Sequence, residues 1–203
     1  MKLYDSARAP NPRRVRIFLA EKGLSVPSEQ VDLGKLEQKT EGFSSLNPLQ
    51  QTPVLLLDDG TVLSESVAIC RYFEELKPEP ALFGETMLAR ALVEMWQRRI
   101  ELQFFLQVLL AFRHSHPAMA EMQKPQIPAL AEVSKARALE FLHYLDGELA
   151  GRPFIAGASF SIVDITALVG VDFMKPAKID MPADLGNVKA WHARVAARPS
   201  AVA

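Results

Sequence analysis

The chain has 203 residues, 23 Lys plus Arg against 24 Asp plus Glu, a formal charge of −1, 49% hydrophobic residues and a single cysteine. That length supports one large domain or two modest ones with their own cores, which excludes a small stapled scaffold, and the near-neutral balance offers no overall attraction to nucleic acid or anionic lipid. Cys70 alone can form neither an internal disulfide nor a Cys-x-x-Cys site, the start Met1-Lys2-Leu3-Tyr4-Asp5 lacks a signal peptide's apolar run, and no stretch reaches the ~18 apolar residues of a bilayer span, so a cytoplasmic protein is expected.

In chain order, Lys2-Leu3-Tyr4 predicts a strand, and Arg13 to Lys22 a helix with Val15, Phe18 and Leu19 on one face, ended by Gly23. Glu29 to Leu33 alternates as a second strand, followed by a polar stretch from Gly34 to Gln51. Pro53 to Leu57, the turn Asp58-Asp59-Gly60 and Thr61 to Leu63 read as an Asp-Gly hairpin, and a helix follows from Ser66 to Leu76. This order predicts a small mixed sheet covered by helices. Lys77-Pro78-Glu79-Pro80 then stops the helix and stiffens the chain. The boundaries follow: residues 1–78 as the mixed α/β domain, 79–84 as the linker and 85–203 as an all-helical domain. Residues 85 to 116 read as one long helix whose stripe of Leu88, Leu92, Met95, Trp96, Ile100, Phe104 and Leu106 predicts a bundle core. Further helices are expected over 127–150, 161–174 and 185–197, the second opening on the capping-box spacing Ser161-x-x-Asp164.

Three segments in this order and spacing resemble the cytosolic glutathione transferases: Asn47-Pro48-Leu49-Gln50-Gln51-Thr52-Pro53-Val54-Leu55, Leu63-Ser64-Glu65-Ser66-Val67-Ala68-Ile69 and Gly157-Ala158-Ser159-Phe160-Ser161-Ile162-Val163-Asp164. The likeness covers essentially the whole chain. Val15 to Lys22 and Phe112-Arg113-His114-Ser115-His116-Pro117 look closest to bacterial and fungal members. The resemblance implies a thioredoxin-like N-terminal domain followed by an α-helical bundle, glutathione as co-substrate, a small hydrophobic electrophile as acceptor and a homodimer. By the same resemblance Thr52 and a cis Pro53 face the cysteinyl unit of glutathione. Read from residue type alone, Pro53 is a trans proline opening an edge strand. Glu65 and Ser66 sit at a helix start that suits the γ-glutamyl group, where serine is equally an ordinary N-cap. Gln38, Lys39 and Gln51 lie where relatives hold the glycine carboxylate; Lys39 can equally belong to a solvated loop.

The thiol position departs from the common pattern. In Ser6-Ala7-Arg8-Ala9-Pro10-Asn11-Pro12-Arg13, the slot that the family fills with serine holds Ala9. Three sources of thiolate stabilisation remain: the N–H groups and dipole of the first helix with a nearby charge cluster, the amide of Asn11, and Ser6 or a water held from the helical domain. The helix start with Asn11 as main side-chain donor is the preferred set. Pro10-Asn11 also matches the position used by a nu-like bacterial class whose members reduce disulfides. Arg8, Arg113 and His114 are expected at the acceptor pocket. Related members hold a water near the sulfur through a histidine and a serine, where this chain has Arg113 and Leu109. His114 and His116 are two apart on a helix, point apart and lack a Cys or acidic partner, so no metal is expected. Cys70, Trp96 and Trp191 read as core, and Arg98 and Arg99 with Glu101 as candidates to bridge subunits. The expected chemistry is conjugation of glutathione to an electrophile, with disulfide or peroxide reduction as the alternative enzyme activity, and a non-catalytic binding module as the rival that Ala9 motivates.

Overall fold

The computed structural model describes residues 1–203. In the first part of the chain β1 (Lys2–Asp5), α1 (Pro10–Glu21), β2 (Ser28–Gln30), α2 (Glu41–Leu46), β3 (Val54–Leu56), β4 (Val62–Ser64) and α3 (Ser66–Leu76) follow one another. The sheet order is β2-β1-β3-β4, with β1 parallel to β2 and antiparallel to β3, and β3 antiparallel to β4. This is the thioredoxin-like arrangement. Leu3 and Leu55 are register partners and both are buried. On the other face Tyr4 and Val62 pack with Val31, Phe43 and Val54, and Tyr4 meets Phe43 edge to face at 6.1 Å. The hairpin closes as its residues dictate: Gly60 takes φ +86° and Asp59 accepts from the Thr61 N–H at 2.8 Å.

The second part is helical: α4 (Met87–Arg99), α5 (Leu106–Ser115), α6 (Pro128–Leu149), α7 (Ile162–Met174) and α8 (Gly186–Ala196). The predicted long helix is interrupted, because Ile100–Phe105 between α4 and α5 is π-helical. Its apolar stripe also divides in two. Trp96, Ile100 and Phe104 are core, whereas Leu88, Leu92, Met95 and Leu106 are exposed. With Leu102 those four recur at steps of four, three, seven and four residues along a neighbouring face, so similar spacing served two surfaces. Ser161 and Asp164 form the expected capping box at the start of α7. Asp164 is fully buried; its carboxylate accepts from the Ile155 and Ser161 N–H groups, the Ser161 hydroxyl and the Trp191 indole. Burial raises its pKa above the ordinary carboxyl value, and the four donors pull it back only in part.

By internal contacts the chain forms two compact units, Met1–Leu82 with Pro199–Ala203, and Phe83–Arg198. The last five residues therefore sit with the first unit and not, as expected, with the helical domain. No helix is long and apolar enough to cross a membrane.

Candidate glutathione site

The first unit gathers three chain segments around α1. Residues 5–9 form a turn held by one network. Asp5, 3% exposed, accepts from the Ser6 N–H at 2.7 Å, from Arg16 at 2.6 Å and from Gln30 Nε2 at 2.9 Å, while Gln30 Oε1 accepts from the Ala7 N–H and Arg16 donates to the Ala7 backbone carbonyl. The Ala9 N–H donates to the Ser6 carbonyl. Ser6 is thus a buried member of the turn, and Ala9 is the N-cap of α1 with no side-chain cap bond.

The consequence for anion binding is specific. Pro10 and Pro12 have no N–H, and the Arg13 N–H is bonded to the Ala9 carbonyl, so Asn11 carries the one unbonded backbone N–H of the first helical turn. Its side-chain amide adds a second donor at the same residue. The several N–H groups expected from the helix start reduce to this one because prolines occupy alternate positions. The expected charge cluster also separates: Arg16 pairs with Asp5, Arg14 is buried and donates to Ser66 Oγ at 2.8 Å, Arg13 donates to the Ala201 carbonyl at 2.9 Å, and Arg8 is exposed.

In the second segment the Thr52–Pro53 peptide is cis. Asn47 organises the approach, donating to the Gln51 carbonyl at 2.8 Å and accepting from the Leu49 N–H. Thr52 itself has no hydrogen bond within the chain, so both its backbone groups are open to an extended peptide. Gln51 is exposed.

The third segment is the β4–α3 junction. Glu65, exposed, takes φ +67°, a left-handed value that a non-glycine residue holds at a cost of about 1–3 kcal/mol, and starts α3 without capping it. Ser66 is the first helical residue, not the cap, and its hydroxyl faces the Arg14 guanidinium. The N-terminus of α3 therefore combines free N–H groups with a buried cation behind Ser66, a setting for a carboxylate. Arg14's position in this site was not visible in sequence; the spacing of α1 shows it on an inner face but not its partner. Of the three residues assigned to the glycine end, Gln38 is 3% exposed inside its turn while Lys39 and Gln51 are open to solvent, so Lys39 alone of them presents a charge at the surface.

Within the second unit, Arg113 is half-buried and its carbonyl accepts from Gln126. His114 corrects the sequence reading: it is 6% exposed, and its Nδ1 accepts from the Ile127 N–H at 3.1 Å, so it fastens the segment before α6 to α5 instead of lining a pocket. The half-exposed aromatic group on this element is Phe112, stacked on His116 at 4.6 Å and edge-on to Phe173 at 4.9 Å.

Comparison with known proteins decides what these parts belong to. Residues 9–76 match the model for the glutathione S-transferase N-terminal domain and residues 106–199 that for the C-terminal domain. The chain belongs to the glutathione S-transferase family. It is 37% identical to glutathione S-transferase 2 of Saccharomyces cerevisiae over 98% of this chain and 87% of that protein. It superimposes on the crystal structure of a glutathione S-transferase domain-containing protein from Marinobacter aquaeolei with TM-score 0.95 at 39% identity, covering 98% and 99% of the two chains. A shorter match, 42% identity over 45% of this chain and 44% of the other, is to a maleylacetoacetate isomerase of Pseudomonas aeruginosa. Members of this family use glutathione as co-substrate.

Proposed function

We propose that this transferase binds glutathione in its first unit, ionises the thiol without a hydroxyl donor, and joins the thiolate to a small hydrophobic electrophile. The observation that carries the proposal is the pair of donors at Asn11, one backbone and one side-chain, at the positive end of α1 where both flanking residues are proline. A free thiol with a pKa near 8.5 is mostly protonated at neutral pH. Two fixed donors and the helix dipole favour its anion, a preorganised electrostatic contribution. The sulfur electron pair then forms the new carbon–sulfur bond as the leaving group departs with its own pair. Thr52 pairs with the cysteinyl backbone, Glu65 holds the glutathione amine, the start of α3 with Ser66 takes the γ-glutamyl carboxylate, and Lys39, assisted by Gln51, faces the glycine carboxylate. The enzyme acts in the cytoplasm as a homodimer in electrophile detoxification.

Absence of a serine, tyrosine or cysteine at position 9, together with Asn11, favours one second reading, reduction of disulfides by two glutathione molecules. Comparing turnover of chlorodinitrobenzene with that of 2-hydroxyethyl disulfide separates the two. Conjugation predicts the first to dominate. A protein that binds immobilised glutathione yet leaves the thiol protonated across neutral pH contradicts both and supports the binding module.

A further inference from the structure

We propose that Pro199–Val202 is a strap that holds the first turn of α1 in the position from which Asn11 reaches the thiol, acting through Arg13 as a positioning residue. The inference rests on the glutathione reading above and adds a part of the chain which that reading does not use.

The strap is a short 3-10 turn in which Ser200 and Ala201 are 7% and 6% exposed, and it belongs to the first unit. It grips α1 at two places. The Arg13 guanidinium donates to the Ala201 carbonyl at 2.9 Å, and the Ser200 hydroxyl donates to the Glu21 carboxylate. Arg13, Ile17 and Glu21 are spaced four residues apart on one helix face, Ile17 between them is 1% exposed, and the two grips are about 12 Å apart along the axis. The far grip is at the end of α1; the near one is two residues from Asn11.

The near grip matters because the start of α1 is weakly defined by its own bonds. Ala9 supplies no side-chain cap, and with prolines at positions 10 and 12 the first backbone bond that closes the turn is the one from the Arg13 N–H to the Ala9 carbonyl. Donors that stabilise a charge must be held to a fraction of an ångström to count. Arg13, as the first residue of α1 with both a backbone bond and a long-range side-chain bond, anchors the turn that carries Asn11. Residues 199–203 contain no charged side chain, so releasing them alters the position of this turn without altering the charge beside it.

The test replaces Pro199–Ala203 with Gly-Ser-Gly-Ser-Gly, alongside Ser200→Ala and Arg13→Lys, the last keeping the charge while losing the guanidinium's reach. Thiolate ultraviolet absorbance is titrated with glutathione bound, and kcat and KM for chlorodinitrobenzene are measured across pH. Wild type is expected to ionise bound glutathione well below the free thiol; its failure to do so refutes the glutathione reading itself. Given that ionisation, the Gly/Ser variant and Arg13→Lys are expected to keep glutathione affinity within about twofold. Their bound-thiol pKa rises by about half to one pH unit and kcat at neutral pH falls about 3–10-fold, recovering as pH rises. Ser200→Ala shifts in the same direction by less. Wild-type thiol pKa and pH–rate profile in Arg13→Lys and Ser200→Ala overturn the strap, whether or not the Gly/Ser variant folds.

Discussion

With alanine at position 9, the proposed thiol activation lies two residues along the chain, at a side chain whose proline neighbours have no N–H to donate. Asn11→Ala keeps the backbone N–H and the dipole but deletes one of two donors, and a lost donor at a developing or fixed anion costs about a factor of 10 to 100. The expected result is a fall of that size in kcat/KM with glutathione binding little changed, read from steady-state kinetics and calorimetry; wild-type rates in this variant contradict the assignment. Asp164 is the other decisive single residue, for folding and not for chemistry. Its pKa is raised by burial, so above 3.8 the unfolded chain releases a proton that the folded chain retains, and this group's contribution to stability is full below 3.8 and falls as pH climbs toward the raised value. The stability of wild type relative to Asp164→Asn is therefore expected to fall as pH rises through that window, read from denaturant titrations at a series of pH values. Truncation to alanine leaves four buried donors unpaired and costs about 3–5 kcal/mol. These residues were legible to different degrees. Ser161 and Asp164 declare themselves by spacing, whereas the burial of His114 and Gln38 and the partner of Arg14 depend on contacts between segments apart in sequence.

At the scale of elements, the sequence showed where helices lie more clearly than how they are wound. Residues 85–116 carry an unbroken apolar rhythm, and nothing in it distinguishes 3.6 from the wider π winding that places the neighbouring side chains of Phe104 and Phe105 both in the core. The partner of this segment is Gly170 on α7: a Cβ there would stand 2.7 Å from Phe104 Cε1 and 3.3 Å from Phe105 Cδ2. The Phe104 ring is fully buried and stacked on Phe141 at 6.4 Å, so it has no room to yield. Gly170→Ala gains helix propensity of about 1 kcal/mol yet meets an overpacking cost of about 1–3 kcal/mol, and the expected outcome is net destabilisation with a melting point lower by several degrees. An unchanged or higher melting point shows that the π segment can relax. The short strand β2 shows the opposite difficulty. The alternation of Val31 and Leu33 predicts it over Glu29 to Leu33, but the strand is Ser28–Gln30, all three exposed and held by backbone pairing with β1, while Val31 and Leu33 pack beyond its end. The buried Lys22 was equally silent in sequence; it ends α1 by donating to the Pro78 and Pro80 carbonyls and pairing with Glu74, which fastens the proline segment to the first unit.

At the scale of the molecule, the two apolar faces of α4 and α5 have different duties. One is core; the other, Leu88, Leu92, Met95, Leu102 and Leu106, lies between 37% and 68% exposed along about 27 Å of helix. An apolar strip of that length is the face on which the proposed homodimer is expected to form, and its steps of four, three, seven and four residues suit antiparallel or crossed packing against a second copy, an isologous contact. Arg98 and Arg99, read from sequence as bridges between subunits, already have partners in their own chain: Arg98 pairs with Glu94 at 2.8 Å, and Arg99 bonds Tyr144 and lies over Trp96. The dimer is therefore expected to depend on the leucines more than on the arginines. Leu92→Glu with Leu102→Glu places carboxylates on both sides of the contact and is expected to give a monomer in sedimentation velocity, while Arg98→Ala leaves the dimer intact. Every proposed glutathione contact comes from residues of the first unit, so the monomer should retain glutathione binding within a few-fold by calorimetry. A double variant that sediments as wild type removes this face as the interface, and a monomer that cannot bind glutathione shows that the site needs its neighbour.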